Sequence, residues 1–433
     1  MSRADPRLLA ALFVCVAVRL ALFSTALPDT NRFFTLDAEG YMALAREPVL
    51  GYGRPGTQLF ELGLVRTPGY PLWASAVLGV AGGRVAAVVL AQIAVSAGCV
   101  WLTFLLGRTL LGAAAAGVAA LLLAADPASA LYACLLQPET LFTAVLLAAA
   151  LSWVLALRHR SWRLAACCGT LLGFATLTRP IGLYLPAAFA AVALVGRARV
   201  PRGAAPSGAL LRPLAALMLP YLLVVGGWIA RNRAVTGVAV LSTIEGVNLL
   251  DYRAAGAMAA SLGIPIEEAR NRLRARLEST FPRAQNASER SRNQSALALA
   301  VLREHPGGAL RSAATGVVKM LSGTGLTVLK KLRGEREPER MQGTADAITS
   351  LALGIVWGCV ALAALAGSVD LGRRGASDAL LLPLVLIACF SALSAGPEAN
   401  TRFRVPFAPF VCLLAGHACS RPRQPLFGAR AQA

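Results

Sequence analysis

A chain of 433 residues that is 56% hydrophobic and only 15% charged, with a mean hydropathy of +0.61, is too apolar and too charge-poor for a water-soluble domain. Its formal net charge of +20 would suit nucleic acid as a partner, but no soluble basic domain is visible. The arginines fall at the ends of apolar runs, where they orient helices and meet anionic headgroups. Composition therefore argues against a soluble enzyme and against a nucleic-acid partner, and predicts an all-α, polytopic membrane protein.

Residues 1–7 are short and basic, and residues 8–27 supply about the 20 apolar residues that a bilayer span needs. Ser24-Thr25-Ala26 also fits a signal-peptide cleavage site. The length of the run, and Arg19 beyond its midpoint, favour a retained helix in which Arg19 snorkels or is paired. Further apolar runs follow at 84–106, 110–125, 139–157, 164–177, 181–195, 214–230, 348–369, 379–395 and 405–419, which predicts about ten spans. Residues 71–83 are apolar but short, and read as a half-buried or re-entrant piece. The whole of 1–433 reads as one membrane domain, with a first outer loop at 28–83 and a long outer loop at 231–347.

With the N-terminus inside, the cytoplasmic turns contain Arg108, the cluster Arg158 to Arg163, the stretch 197–212, Arg373-Arg374, and Arg421 with Arg423. That obeys the positive-inside rule at each turn. Five polar clusters then fall on the outer face: the loop beginning at Asp37, Gln137-Pro138-Glu139, Arg179-Pro180, Arg231-Asn232 and the stretch 400–404. In the long outer loop, 266–280 and 295–321 have helical apolar spacing and suit helices at the membrane surface. The charged 326–340 reads as a solvated loop.

The nine cysteines lie in or beside apolar runs without a CxxC pair, so they are packing residues rather than disulfides or zinc ligands. His159, His305 and His417 are scattered, which argues against a histidine metal cluster or a Ser/His/Asp triad. The chemistry-bearing residues are acids and arginines. Asp37 and Glu39, just past the first run, are either helix-capping acids or a general base and cation ligand. Glu139 heads an apolar run, where a helix dipole favours a carboxylate in any case. Arg66 opens Arg66-Thr67-Pro68-Gly69-Tyr70-Pro71, which is either a turn with an interfacial tyrosine or an arginine fixed against an anionic headgroup. Arg179, Arg231, Arg402 and Arg404 sit at outer helix ends, where topology does not call for arginine. Guanidinium forks there suit phosphate oxygens, although some serve equally as interfacial anchors.

Taken in order, Asp37-x-x-x-Tyr41, Arg66-Thr-Pro-Gly-Tyr-Pro, Pro138-Glu139, Thr178-Arg179-Pro180, Trp228-Ile-Ala-Arg231-Asn232, Glu304-His-Pro306 and Arg402-Phe-Arg404-Val-Pro406 resemble the GT-C superfamily of integral membrane glycosyltransferases. The likeness is to the bacterial branch related to protein O-mannosyltransferases and lipid A aminoarabinose transferases, the glycosyltransferase family 39 type. The resemblance implies a hexosyl or pentosyl transferase in the cell inner membrane. Such an enzyme passes a sugar from a polyprenyl-phosphate-linked donor, with inversion, to an envelope acceptor (a lipid, a glycan or a protein) on the outer face. It implies Asp37 as the catalytic base, with Glu39 and Glu139 orienting the acceptor or holding a divalent cation. It implies Arg66, Arg179 and Arg231 at the donor phosphate, Arg402 and Arg404 as outer or headgroup contacts, and Tyr41 and Tyr70 at the substrate. Two departures stand out: Ala38 separates the two loop acids, which are adjacent in protein O-mannosyltransferases, and no large soluble domain follows 405–419. The alternative from another class is a lipid-linked glycan flippase or transporter, but that role calls for a charged path through the spans, and these runs are nearly clean apart from Arg19.

Overall fold

The computed structural model describes residues 5–198, 210–283, 286–341 and 343–420. Arg421 and Arg423, most of the basic turn at 197–212 and part of the basic N-terminus lie outside the described residues. Among the described residues all regular structure is helical.

Each of the ten predicted apolar runs is occupied by a helix. Five of these helices are long and apolar enough to cross a bilayer: Pro6–Ala26, Val85–Leu110, Glu139–His159, Leu211–Thr236 and Gly343–Arg373. A sixth span arises if Ala113–Ala125 and Pro127–Ala133, bent by 56° at Asp126, are taken together. The bend follows from the chain itself, since Pro127 has no N–H to continue the ladder and Asp126 caps the new helix through Ser129 N. Trp162–Thr178, Leu185–Ala198, Ser377–Leu393 and Ala408–Cys419 are shorter, so length and composition support five or six spans and leave the expected ten unconfirmed. The protein is multi-pass. Leu351, Leu362 and Leu365 on Gly343–Arg373 are all exposed, as lipid-facing leucines are.

Glycines let the helices approach closely. A Cβ on Gly169 would lie 2.0 Å from Leu217 O, and one on Gly367 would lie 2.0 Å from Leu414 O. These contacts seat Trp162–Thr178 on Leu211–Thr236 and Gly343–Arg373 on Ala408–Cys419, the small-residue packing expected where lipid offers no hydrophobic drive.

The polar stretches leave the bundle as short helices. Leu36–Arg46 is capped by the Thr35 side chain and packs on Gly69–Val80, the segment predicted as half-buried or re-entrant. The helix predicted over 266–280 is present as Ile266–Thr280. The one predicted over 295–321 is split into Ala287–Glu304 and Pro306–Ser322, because His305 precedes a proline and leaves the α region. Residues 326–340 are not simply a solvated loop. Leu326–Arg333 is helical and Lys330 is buried, its Nζ 2.6 Å from Asp346 Oδ2, so a partner far along the chain draws the lysine in.

Arg19 does not snorkel, and among the described residues no acid pairs with it. It is fully buried, and donates from Nε to Ser96 Oγ at 2.7 Å and from one terminal nitrogen to the carbonyls of Ala124 (2.9 Å) and Cys15 (3.2 Å).

Gly69 sets the start of its helix against the end of Trp162–Thr178: a Cβ there would lie 2.7 Å from both Leu177 O and Thr178 Oγ1. Gly69→Ala is therefore expected to lose about 1–3 kcal/mol through overpacking. Gly79→Ala on the same helix meets nothing within 4 Å and should hold or gain stability. Thermal unfolding of the two variants in detergent checks the contrast.

Candidate functional site

Five of the residues singled out in the sequence meet at one point. Arg66 donates a hydrogen bond to Asp37 Oδ1 at 2.6 Å, and Arg402 donates to Asp37 Oδ2 at 2.5 Å. Arg402 Nε also bonds Glu139 Oε1, which Arg179 reaches at 3.2 Å. Arg402 thus bridges the two carboxylates, with Arg66 and Arg179 flanking it. Glu139 is fully buried, whereas about a third of the Asp37 side chain is exposed, so the cluster opens at Asp37. Three guanidinium charges against two carboxylates leave one positive charge in excess.

Local chemistry places each member. Asp37 sits in the first turn of Leu36–Arg46 and Glu139 in the first turn of Glu139–His159, where helix dipoles favour carboxylates. The two turns are tied together: Gln137 Nε2 donates to Thr35 Oγ1 at 2.6 Å, and Leu136 N donates to Phe33 O at 3.0 Å. Arg66 and Arg179 each follow directly on a helix C-terminus in extended conformation. For Arg179 the reason is Pro180, which bars helix from the residue before it. Arg402 lies in the 3-10 turn Thr401–Arg404, whose N-cap Asn400 accepts from Arg402 N at 2.9 Å.

Aromatic rings wall the cluster. The Arg66 guanidinium lies 4.8 Å from the Tyr41 ring centroid, and Arg179 lies 5.7 Å from both Phe142 and Phe403, within cation–π range. Tyr70 meets Tyr41 edge-on at 5.2 Å and its hydroxyl lies 2.5 Å from Gln92 Oε1. Tyr41 therefore borders the site, while Tyr70 supports it from the core.

Three candidates lie elsewhere. Glu39 is exposed, because two residues on from Asp37 a helix has turned about 200° away. Arg231 bonds the carbonyl of Tyr52 and the Asn232 side chain (2.7 Å), under Phe60 and Trp228. Tyr52 OH in turn donates to Arg66 O at 3.2 Å, so Arg231 braces the segment carrying Arg66 rather than joining the cluster. Arg404 is fully buried over Trp357 and donates to Gly323 O at 2.7 Å, which anchors the turn that presents Arg402. The expectation for Arg402 also changes, since it sits at the centre rather than at the edge. Sequence reading passed over Gln92 and Tyr52. A lone glutamine in an otherwise apolar run was the available signal for the first, and none marked the second.

Burial raises the proton affinity of Asp37, but the charges of Arg402 and Arg66 and their hydrogen bonds outweigh it and hold the carboxyl at about 2. The donor set does not suit a divalent cation. Both Asp37 oxygens are taken by arginine, Glu139 keeps only Oε2 free, and no group of three His, Cys, Asp or Glu gathers among the described residues. No chemical step is routed through a metal here.

The family described as dolichyl-phosphate-mannose-protein mannosyltransferase matches residues 65–228, less than half of the chain. The oligosaccharyltransferase AglB of Archaeoglobus fulgidus, solved with an inhibitory peptide and a dolichol-phosphate, superposes with a TM-score of 0.55 at 14% identity, over 95% of this chain and 50% of that one. The chain shares the fold of the membrane part of that oligosaccharyltransferase. The apo oligosaccharyltransferase from the same organism gives a TM-score of 0.55 at 15% identity, with the same coverage. ArnT of Cupriavidus metallidurans bound to undecaprenyl phosphate gives 0.41 at 15%, over 94% and 77%. The chain spans about half the length of the oligosaccharyltransferase structures it matches. No curated protein matches it in sequence.

Asp37 titrates below its unfolded value of about 3.9, so its ion pairs stabilise the fold fully above that pH and are lost as pH falls toward about 2. Unfolding midpoints measured from about pH 6 down to about pH 3 should fall more steeply in the wild type than in Asp37→Asn. In the same assay, Arg402→Gln should cost on the order of 3 kcal/mol by leaving buried Glu139 with Arg179 alone and Asp37 with Arg66 alone. Glu39→Gln should stay within about 0.5 kcal/mol.

Proposed function

We propose that this protein transfers a sugar from a polyprenyl-phosphate-linked donor to an envelope acceptor on the outer face of the cell inner membrane, with inversion at the sugar C1. The observation that carries the reading is the meeting of Arg66, Arg179 and Arg402 around Asp37 and Glu139, from distant parts of a membrane chain. The GT-C fold and the match to a mannosyltransferase family support it, as does the dolichol-phosphate held by a structural relative of the same fold. The positive-inside pattern of the short loops supports the outer face.

A polyprenyl tail stays in the bilayer, so its phosphate is met at the membrane interface by charges at helix ends. Three guanidinium groups around one point suit a phosphate that gains charge as its bond to the sugar breaks. The acceptor O–H or N–H attacks C1 from the face opposite the phosphate. The C1–O bond breaks with its electron pair going to the phosphate, and the acceptor proton passes to the partly exposed carboxylate of Asp37. Glu139, buried and unable to reach an acceptor directly, holds Arg402 and Arg179 in register. Tyr41 lines the way in. Arg231 and Arg404 act as positioning residues, the first through Tyr52 and the second through the 401–404 turn.

Transfer from radiolabelled undecaprenyl-phosphate sugars by purified protein into membranes tests the reading. Wild type should transfer from at least one donor, and Asp37→Asn should fall by roughly 10²-fold or more. Lipid translocation in vesicles, with no transfer from any donor, would favour the flippase instead.

A further inference from the structure

The cluster presents a problem that its own geometry poses. A base must be able to take up the acceptor's proton, yet Arg66 and Arg402 each hold one oxygen of Asp37, at 2.6 and 2.5 Å, and their charges and hydrogen bonds favour its ionised form. The groups facing Asp37 are those two arginines and Tyr41 on its own helix, with Arg179 and Glu139 behind Arg402 and Tyr70 behind Tyr41. Every cation available to the donor phosphate is therefore already committed to a carboxylate. Two buried polar atoms of the cluster remain unspent, Arg66 Nε and Glu139 Oε2.

Resting on the proposed glycosyl transfer, we propose that the donor's phosphate competes with Asp37 for the same guanidinium groups, so that donor binding draws Arg66 and Arg402 off the carboxylate and unmasks the base. The exchange starts at Arg66, whose buried Nε has no partner to lose and whose chain is braced independently by Tyr52 and Arg231. Arg402 keeps its bond to Glu139 while its other arm changes partner, so buried Glu139 stays paired throughout and only Asp37 is freed. A released Asp37 has free lone pairs and a new anion nearby, and both favour taking a proton. The order of events follows: donor first, then deprotonation of the acceptor. With no donor bound the base stays neutralised by its neighbours.

Competition makes a counter-intuitive prediction, that removing the catalytic carboxylate tightens binding of the carrier. Undecaprenyl phosphate, which has no sugar to transfer, is the probe, and its affinity is measured by intrinsic tryptophan fluorescence in nanodiscs. Asp37→Asn should bind it on the order of 10-fold more tightly than wild type, within the usual range of coupling between sites, while Glu39→Gln should bind it as wild type does. A double-mutant cycle separates exchange from a general field effect. In an Arg66→Gln background the gain from Asp37→Asn should shrink several-fold, and Arg66→Lys serves the same cycle if the glutamine variant does not fold. Equal or weaker binding by Asp37→Asn overturns the exchange and leaves the glycosyl-transfer reading standing. A gain that persists undiminished without Arg66 also overturns it. Wild type that does not bind undecaprenyl phosphate at all overturns both.

Discussion

The bridge from Arg402 to both Asp37 and Glu139 is the contact on which the site depends. Glu139 is fully buried, and a buried carboxylate without a partner costs several kcal/mol, so the fold is stable only with Arg402 and Arg179 against it. Arg402 in turn needs Asp37 for its other arm. The pairing joins the segment after the first helix, the head of Glu139–His159 and the turn before Ala408–Cys419. Electrostatic necessity thus assembles the site.

Around that bridge, the remaining contacts hold backbone rather than add charge. Ser242 Oγ donates to Val65 O at 2.6 Å, and Thr243 N donates to Leu64 O at 2.9 Å, which fixes the end of the helix that delivers Arg66. Arg253 pairs with Glu398 at 3.1 Å, and Gly316 and Gly323 let Pro306–Ser322 lie directly on Gly396 and Thr401, which fixes the loop that delivers Arg402. The long segment 231–347 therefore has a structural role at the site even though none of its described side chains enters the five-residue cluster. Its helices grip the segments on which two of the arginines are mounted.

How legible this was in the sequence depends on the kind of signal. Apolar runs are a matter of composition and survive folding, so each was found as a helix. Span number is not, because Trp162–Thr178 or Ala408–Cys419 has a length on which hydropathy alone does not decide. Arg179 stood out because topology does not call for arginine at that helix end, and Asp37, Arg66 and Glu139 stood out as charges bordering apolar runs. Their division of labour did not stand out. Arg402 and Arg404 differ by two positions in one motif, yet the 3-10 turn sends one to Glu139 and the other to Trp357 and Gly323. Glu39 looked like the natural partner of Asp37 in one dimension, and helical rotation put it in solvent. Lys330 was read as part of a charged loop because Asp346, which draws it inward, lies outside the local window. Pairing between distant charges is the information a linear pattern lacks.

Arg19 and the site show the same physics with opposite outcomes. Arg19 is a lone guanidinium inside the bundle, met by a serine and two carbonyls. Its partners are neutral dipoles that have no charge to exchange, so the arrangement is fixed and suits a helix lock between Pro6–Ala26, Val85–Leu110 and Ala113–Ala125. The arginines of the cluster are met by carboxylates, and charge-assisted pairs are strong but exchangeable with any other oxyanion of similar geometry. A phosphate presents the same pattern of acceptor oxygens as Asp37 and at least as much charge. With one positive charge in excess, the cluster attracts such an anion, which then competes with Asp37 for the same guanidinium groups. A site that stores its cations on carboxylates is folded while empty, yet still answers to a phosphate when one arrives.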